Sequence, residues 1–242
     1  MILNKKVCIV IPCFNVAKEI ENVIKKIDLK IIDKIFIVDD CCPQQTGIML
    51  KKKIKNKKIN IIILKKNLGV GGATIFGFKK ALRLGYDIIF KIDGDGQHDP
   101  GDIKKFLKHL LNSNNNYCKG SRFLNIRERK KIPKIRYYGN IILTFFTKLN
   151  CKKYELTDAV NGFLAIKSSL LKKINLNKVS FDFFFEEDLL FYLSFHSIKI
   201  KEIPIKTIYY NKSNLNPLKT VFPFFIKHIK NSLKRIIYEF SN

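Results

Sequence analysis

Short apolar runs of strand character alternate with segments of helical period through the first half of the chain, and this alternation restricts the possible folds most. VCIVI (7–11), IFIV (35–38), INIIIL (59–64) and DIIFKI (87–92) read as strands. Between them lie a polar–apolar stretch to Ile27, a basic helix-like segment, and a helix from about Gly71 to Leu84; another helix runs from about Pro100 to Leu111. Such alternation predicts an α/β fold with a mostly parallel central sheet and helices on both faces. In sheets of this kind ligands bind beyond the carboxyl ends of the strands. The chemistry-bearing residues fall there: Pro12 to Asn15 after the first strand, Asp39 and Asp40 after the second, Asn67 to Gly72 after the third, and Asp93 to Gln97 after the fourth.

The fourth place reads IIFKIDGDGQHDP (88–100). Asp93 and Asp95 stand two residues apart at a strand end, so an extended backbone aims both at one point, and Gly94 and Gly96 let the chain turn beside it. With no cysteine or histidine nearer than His98, the paired carboxylates predict Mg²⁺ or Mn²⁺, ions that take one or two carboxylates plus substrate phosphates. Gln97 would add an oxygen. An isolated D-x-D is equally the composition of an acidic turn; its company at the other strand ends favours the metal.

The second half is less regular: a strand near Tyr117 to Gly120, a helix-like stretch near Ile135 to Leu149, and a strand at Gly162 to Ile166. An aromatic, acidic helix follows around Phe184 to Phe195, then strand material at Ile200 to Tyr210. No linker composition divides the chain and no repeat is visible. One domain is predicted over 1–215, its first half (1–115) holding a nucleotide sugar and its second (116–215) shaping an acceptor site. The remainder, 216–242, reads as a basic amphipathic helix: Phe222, Phe225, Ile226, Ile229, Leu233, Ile236, Ile237 and Phe240 recur at helical spacing, with Lys227, Lys230, Lys234 and Arg235 between them. Either it lies in a membrane interface, or its apolar face docks on the domain.

A formal net charge of +26 predicts an anionic partner: nucleic acid, a phospholipid surface, or phosphorylated substrates. Abundant Lys, Ile and Asn, as an AT-rich coding sequence produces, account for part of that charge. Lys51 to Lys58 (KKKIKNKK) reads as the solvated end of a helix and its loop. A nucleic-acid-binding protein fits the charge alone, but no binding motif or Cys–His finger is present and the charge is scattered, so no specific nucleic acid is expected. Six cysteines without C-x-x-C or zinc spacing read as reduced, cytosolic thiols. No run reaches the roughly 18 apolar residues that span a bilayer.

At the third strand, NLGVGGATIFGFKKAL (67–82) superficially matches a dinucleotide-binding glycine loop, but Thr74 replaces the third glycine and the loop follows the wrong strand. Nicotinamide and flavin chemistry are set aside. Glycines opening a helix still admit phosphates or a sugar close to the backbone.

IPCFN (11–15), VDD (38–40), NLGVGGA (67–73), DGDGQHDP (93–100), GSRF (120–123), DAVNGFLA (158–165) and EIPIKTIYYNKSNLNP (202–217) occur in this order. Together they resemble family 2 glycosyltransferases of the GT-A fold, above all the branch of dolichyl-phosphate mannosyl- and glucosyltransferases. The resemblance implies that Pro12, Phe14, Asn15, Val38 and Asp40, with Glu19, hold the base and ribose. It implies that Asp93, Asp95 and Gln97 hold the metal and diphosphate of a UDP- or GDP-sugar. Arg122 and Arg136 match positions that bind an acceptor phosphate in that branch, and Lys212 with Ser213 stands where the branch carries a basic motif.

The implied reaction is a single displacement with inversion at the anomeric carbon. A polyprenyl phosphate (undecaprenyl or dolichyl) is already an anion and needs cations; a hydroxyl of a glycan or lipopolysaccharide needs a general base, for which Glu186, Glu187 and Asp188 are the candidates. Cys41-Cys42-Pro43-Gln44-Gln45 and a C-terminal motif without its arginine and second glycine depart from the family pattern, leaving sugar and nucleotide open. The expected location is cytoplasmic, peripheral on the membrane face, reached through the amphipathic helix or a membrane-protein partner.

Overall fold

The computed structural model describes residues 5–152, 154–209 and 217–241. Its first half holds β1 (Val7–Cys13), α1 (Ile20–Lys25), β2 (Lys34–Asp39), α2 (Thr46–Lys53), β3 (Ile59–Ile63), α3 (Gly69–Arg83) and β4 (Ile88–Lys91). A 3-10 turn at Pro100–Asp102 leads into α4 (Ile103–Leu111), β5 (Tyr117–Ser121), α5 (Ile126–Lys130) and α6 (Lys134–Cys151). Then come β6 (Leu164–Lys167), α7 (Ser168–Leu171), α8 (Phe185–Leu193), β7 (Ile200–Pro204) and α9 (Pro217–Phe240).

Seven strands form one sheet in the order β3-β2-β1-β4-β6-β5-β7. β1 to β4 are parallel, β6 runs antiparallel to β4 and β5, and β7 is parallel to β5. The central strands are continuous apolar runs because both their faces are covered. Cys8, Val10, Phe36 and Val38 point to one side, beneath Phe78 of α3 and Leu189 of α8. Val7, Ile9, Ile11, Ile35 and Ile37 point to the other, beneath Val23 of α1 and Phe106 of α4.

The chain steps outward from β1 through β2 to β3, then returns to lay β4 along the opposite edge of β1. This reversal is a topological switch point. Pairing between β1 and β4 ends at Val10 and Lys91, and beyond it the two strands diverge into a crevice. The residues after β1 and β4 line that crevice.

The predicted elements are present with ends shifted by a few residues, and α5 and α7 are additions. The strand expected over 200–210 stops at Pro204. Beyond it the chain leaves β5: Thr207 bridges to His98, and Ile208 N donates to Gln97 O at 3.0 Å. This segment therefore fastens to the loop after β4 instead of extending the sheet.

α9 packs on the domain, but not by its apolar stripe, so of the two alternatives left open for it, docking by the apolar face is set aside. Its buried face is Phe224, His228, Asn231 and Arg235, and its apolar stripe points outward, with Phe222 70% and Phe240 89% exposed. Buried polar groups on α6 and α8 dictate that choice, because each needs a partner. Asn231 Nδ2 donates to Asp188 Oδ1 at 2.9 Å, Asn150 Nδ2 to His228 O at 3.1 Å, and Arg235 Nε to Asn150 O at 3.0 Å. All six thiols are free, and Lys51 to Lys53 are exposed at the end of α2. No helix of the described residues is long and apolar enough to cross a membrane.

Candidate active site

The crevice is a cavity of about 500 Å³, within the range of small-molecule sites. Pro12 at the end of β1, Phe14 and Asn15 after it, Asp40 after β2, and Asn67 before α3 line one wall. Asp93, Gly94, Asp95 and Gln97 form its floor, and Arg122, Arg136 and Glu186 line the far side. An apolar end is made by Ile135 and Leu143 of α6, Phe183, and Phe224 of α9.

A lysine organises the floor. Lys91, on β4, is almost completely buried, with Nζ 2.6 Å from Asp93 Oδ1 and 2.6 Å from Glu186 Oε1. Burial opposes its charge, and the two carboxylates outweigh that and hold it protonated. Burial likewise opposes ionisation of Asp93, but the charge of Lys91 prevails and its pKa is lowered. A Cβ on Gly162 would collide with Asp93 Oδ2 and Lys91 Nζ, so a larger residue there would have to displace this pair. His98 lies beside it, its buried Nδ1 3.8 Å from Asp93 Oδ2 and without a hydrogen-bond partner; burial pushes its pKa down to about 4.

Asp95 is different. Its Oδ1 accepts from Gln97 N at 3.0 Å, and among the described residues it has no ion-pair partner. Burial first, and the neighbouring Asp93 charge second, push its pKa up to about 6. A carboxylate facing the cavity at such a cost, beside a second carboxylate and an amide oxygen, is an all-oxygen donor set that fits Mg²⁺ or Mn²⁺. Among the described residues no three His, Cys, Asp or Glu side chains cluster as a metal site. An ion here would complete its shell from a diphosphate and water.

On the far side, Arg122 grips Asp158 in a bidentate pair, Nε to Oδ2 and Nη2 to Oδ1, each at 2.7 Å. Arg136 makes no ion pair among the described residues; its Cζ lies 5.9 Å from the Tyr209 ring centre.

Several expected residues lie elsewhere. Val38 is buried within β2 and Glu19 precedes α1 without a capping side-chain bond, both outside the cavity lining. Asp39 instead accepts from Cys42 N at 2.7 Å and from Gly47 N, fixing the loop into α2. Gly71 packs on the backbone at Ser180 and Phe181, and Gly72 N donates to Phe181 O at 2.9 Å. These glycines therefore serve close approach of that loop, and Gly69, Val70 and Ala73 beside them reach the cavity.

Successive helical residues point about 100° apart, so the three acids of α8 diverge. Glu186 faces the cavity, Glu187 faces the interior with neither oxygen hydrogen-bonded, and Asp188 accepts from Ser180 N, Ser180 Oγ and Asn231 Nδ2. Glu187 and Asp188 thus stand apart as candidate bases, the first by direction and the second by its partners. Lys212 and Ser213 lie outside the described residues. His98, Asp158 and Gly162 stand inside the sequence motifs but have no role assigned there, and Lys91 has none either; a lysine inside the apolar run IIFKI, two residues before Asp93 and on its face, is the available signal.

A switch-point crevice floored by a D-x-D pair, in a mostly parallel sheet covered on both faces, defines a nucleotide-sugar transferase of the GT-A fold. The model of the family described as glycosyl transferase family 2 matches residues 8–175, and the chain belongs to that family. The UDP-N-acetylglucosamine–dolichyl-phosphate N-acetylglucosaminyltransferase of Methanococcus voltae is 35% identical over 219 residues, 85% of this chain and 87% of that protein. The undecaprenyl-phosphate mannosyltransferase of Micrococcus luteus is 25% identical over 207 residues, 83% and 82% of the two chains. Among solved structures, glucosyl-3-phosphoglycerate synthase from Mycobacterium tuberculosis in complex with Mg²⁺ and uridine diphosphate has a TM-score of 0.68 at 16% identity, covering 96% of this chain and 79% of that one. That likeness is one of fold.

Proposed function

We propose that this glycosyltransferase moves a hexose or N-acetylhexosamine from a UDP- or GDP-sugar to a polyprenyl phosphate, with inversion, at the cytoplasmic face of a membrane. Carrying this reading is the pairing, across one cavity, of Asp93 and Asp95 with Arg122 and Arg136. A phosphate nucleophile is already charged, so its site needs cations to hold it and no base to activate it. Glu186, the acid of α8 that reaches the cavity, is already engaged by Lys91 Nζ at 2.6 Å. The names of the Methanococcus and Micrococcus relatives support the acceptor class, and the first supports UDP as the nucleotide.

Pro12, Phe14, Asn15 and Asp40 would receive the base and ribose. Asp40 Oδ1 accepts from Leu68 N at 2.7 Å, which fixes the carboxylate beside the cavity. Asp93, Asp95 and Gln97 would hold a divalent cation, which when bound neutralises charge on the departing diphosphate. Arg136, with the N–H groups of Arg122 that Asp158 leaves over, orients the acceptor phosphate. The test is transfer from labelled UDP- and GDP-sugars, with Mg²⁺ or Mn²⁺, to undecaprenyl or dolichyl phosphate, reading label that enters organic solvent. Label lost in Asp95→Ala and Arg136→Ala is the expected result; label remaining in water on a glycan, dependent on Glu186, overturns the acceptor.

A further inference from the structure

We propose that the outward apolar faces of α6 and α9 form one surface that docks in an anionic lipid bilayer, setting the cavity mouth at the level of the headgroups. This rests on the acceptor reading only for what enters the cavity; the surface itself stands on the geometry of the two helices. On α6, Ile135, Tyr138, Ile142, Phe145 and Leu149 recur every three or four residues and are all exposed. α9 presents Phe222, Phe225, Ile229, Leu233, Ile236 and Phe240 in the same way. Phe146 joins the two stripes, its ring 5.7 Å from Phe145 and 5.6 Å from Phe225. An apolar surface this extended marks an interaction site.

Charge decides the occupant. Exposed Arg127, Arg129 and Lys130 of α5, Lys134 and Lys148 of α6, and Lys230 of α9 rim the stripes. The acidic residues of these helices are Glu128 and Glu239, and each is already paired, with Lys131 and Lys152. An apolar face edged by lysine and arginine fits acyl chains below and anionic headgroups beside them. A second copy would bring the same basic rim, from a chain of net charge +26, against the first. Ile135 and Phe224, at the apolar end of the cavity, belong to the same two helices, so a lipid surface leaves that end open to an acyl chain.

The test is flotation of the full chain with vesicles of equal parts phosphatidylglycerol and phosphatidylcholine, and with phosphatidylcholine alone. The expected result is co-flotation with the anionic vesicles that weakens with salt, and a loss of about tenfold or more in the double variant Phe145→Ser, Leu233→Ser. Both side chains are exposed and outside the cavity, so the variant should keep the UDP–Mn²⁺ increase in Tm. Wild-type protein that stays down, equal flotation of the variant, or a wild-type dimer dissociated by the same substitutions overturns the proposal. Transfer to a short, water-soluble prenyl phosphate without vesicles reports on the acceptor alone. Its failure with flotation intact overturns the acceptor reading and leaves the docking surface standing; its success without flotation does the reverse.

Discussion

Lys91 Nζ lies 2.6 Å from Glu186 Oε1, joining the strand that ends in the D-x-D loop to a helix 95 residues further along the chain. The same ammonium holds Asp93 Oδ1 at 2.6 Å, so one buried cation compensates two carboxylates. Removing it leaves the buried Glu186 and the partly buried Asp93 unpaired. Lys91→Met should therefore destabilise the fold by roughly 3–5 kcal/mol, and Glu186→Gln added to it should restore part of the loss. Urea unfolding of the two single variants and the double gives the coupling; strict additivity would mean that the contact carries no stability.

At the proposed metal site, Asp95 would link cation binding to pH. Its folded pKa of about 6 stands above the ordinary carboxylate value, so the neutral form is the one the empty fold favours. The group's contribution to stability is complete below about pH 4 and is lost as pH rises through about 6. A cation requires the charged form, so its binding runs the opposite way, weakening below about pH 6. The Tm increase from UDP with Mn²⁺ should be small near pH 5 and full above about pH 7. Asp95→Asn should raise the metal-free Tm at neutral pH and abolish the metal response. An equal Mn²⁺ response at both pH values would refute the assignment.

How much of this the sequence disclosed follows from the range of each signal. The β1–β4 alternation and the Asp93/Asp95 pair are local: a period of two and a turn after a strand carry them. Arg122 was readable as a motif, but its partner Asp158 comes 36 residues later and meets it only through the fold. The three acids of α8 are adjacent, and their directions depend on a helix phase that packing sets. For α9 the spacing gave the apolar stripe; which face met the domain was decided by Asn150 and Asp188, far away in the chain.

Glu187 tests that phase directly. Burial, and then the charge of Glu186, raise its pKa well above the usual carboxylate value, which favours the neutral acid. Glu187→Gln keeps the shape of a neutral acid and should change stability by about 1 kcal/mol or less, with transfer within about twofold of wild type. A general base removed in this way would cost about a hundredfold or more. Initial rates at saturating acceptor decide between the two.

The two arginines should separate by what each leaves behind. Asp158 is fully buried and its carboxylate is matched by Arg122, so Arg122→Ala strands a charge and should lower Tm by several degrees along with activity. Lysine should rescue it poorly, because one ammonium cannot reproduce the bidentate fork. Arg136 pairs with no acid among the described residues and rests 5.9 Å from the Tyr209 ring. Arg136→Ala should leave Tm within about two degrees of wild type, while the KM for polyprenyl phosphate rises about tenfold, as loss of a charge-assisted bond to phosphate requires. Unchanged KM with an intact fold would place the acceptor phosphate away from Arg136.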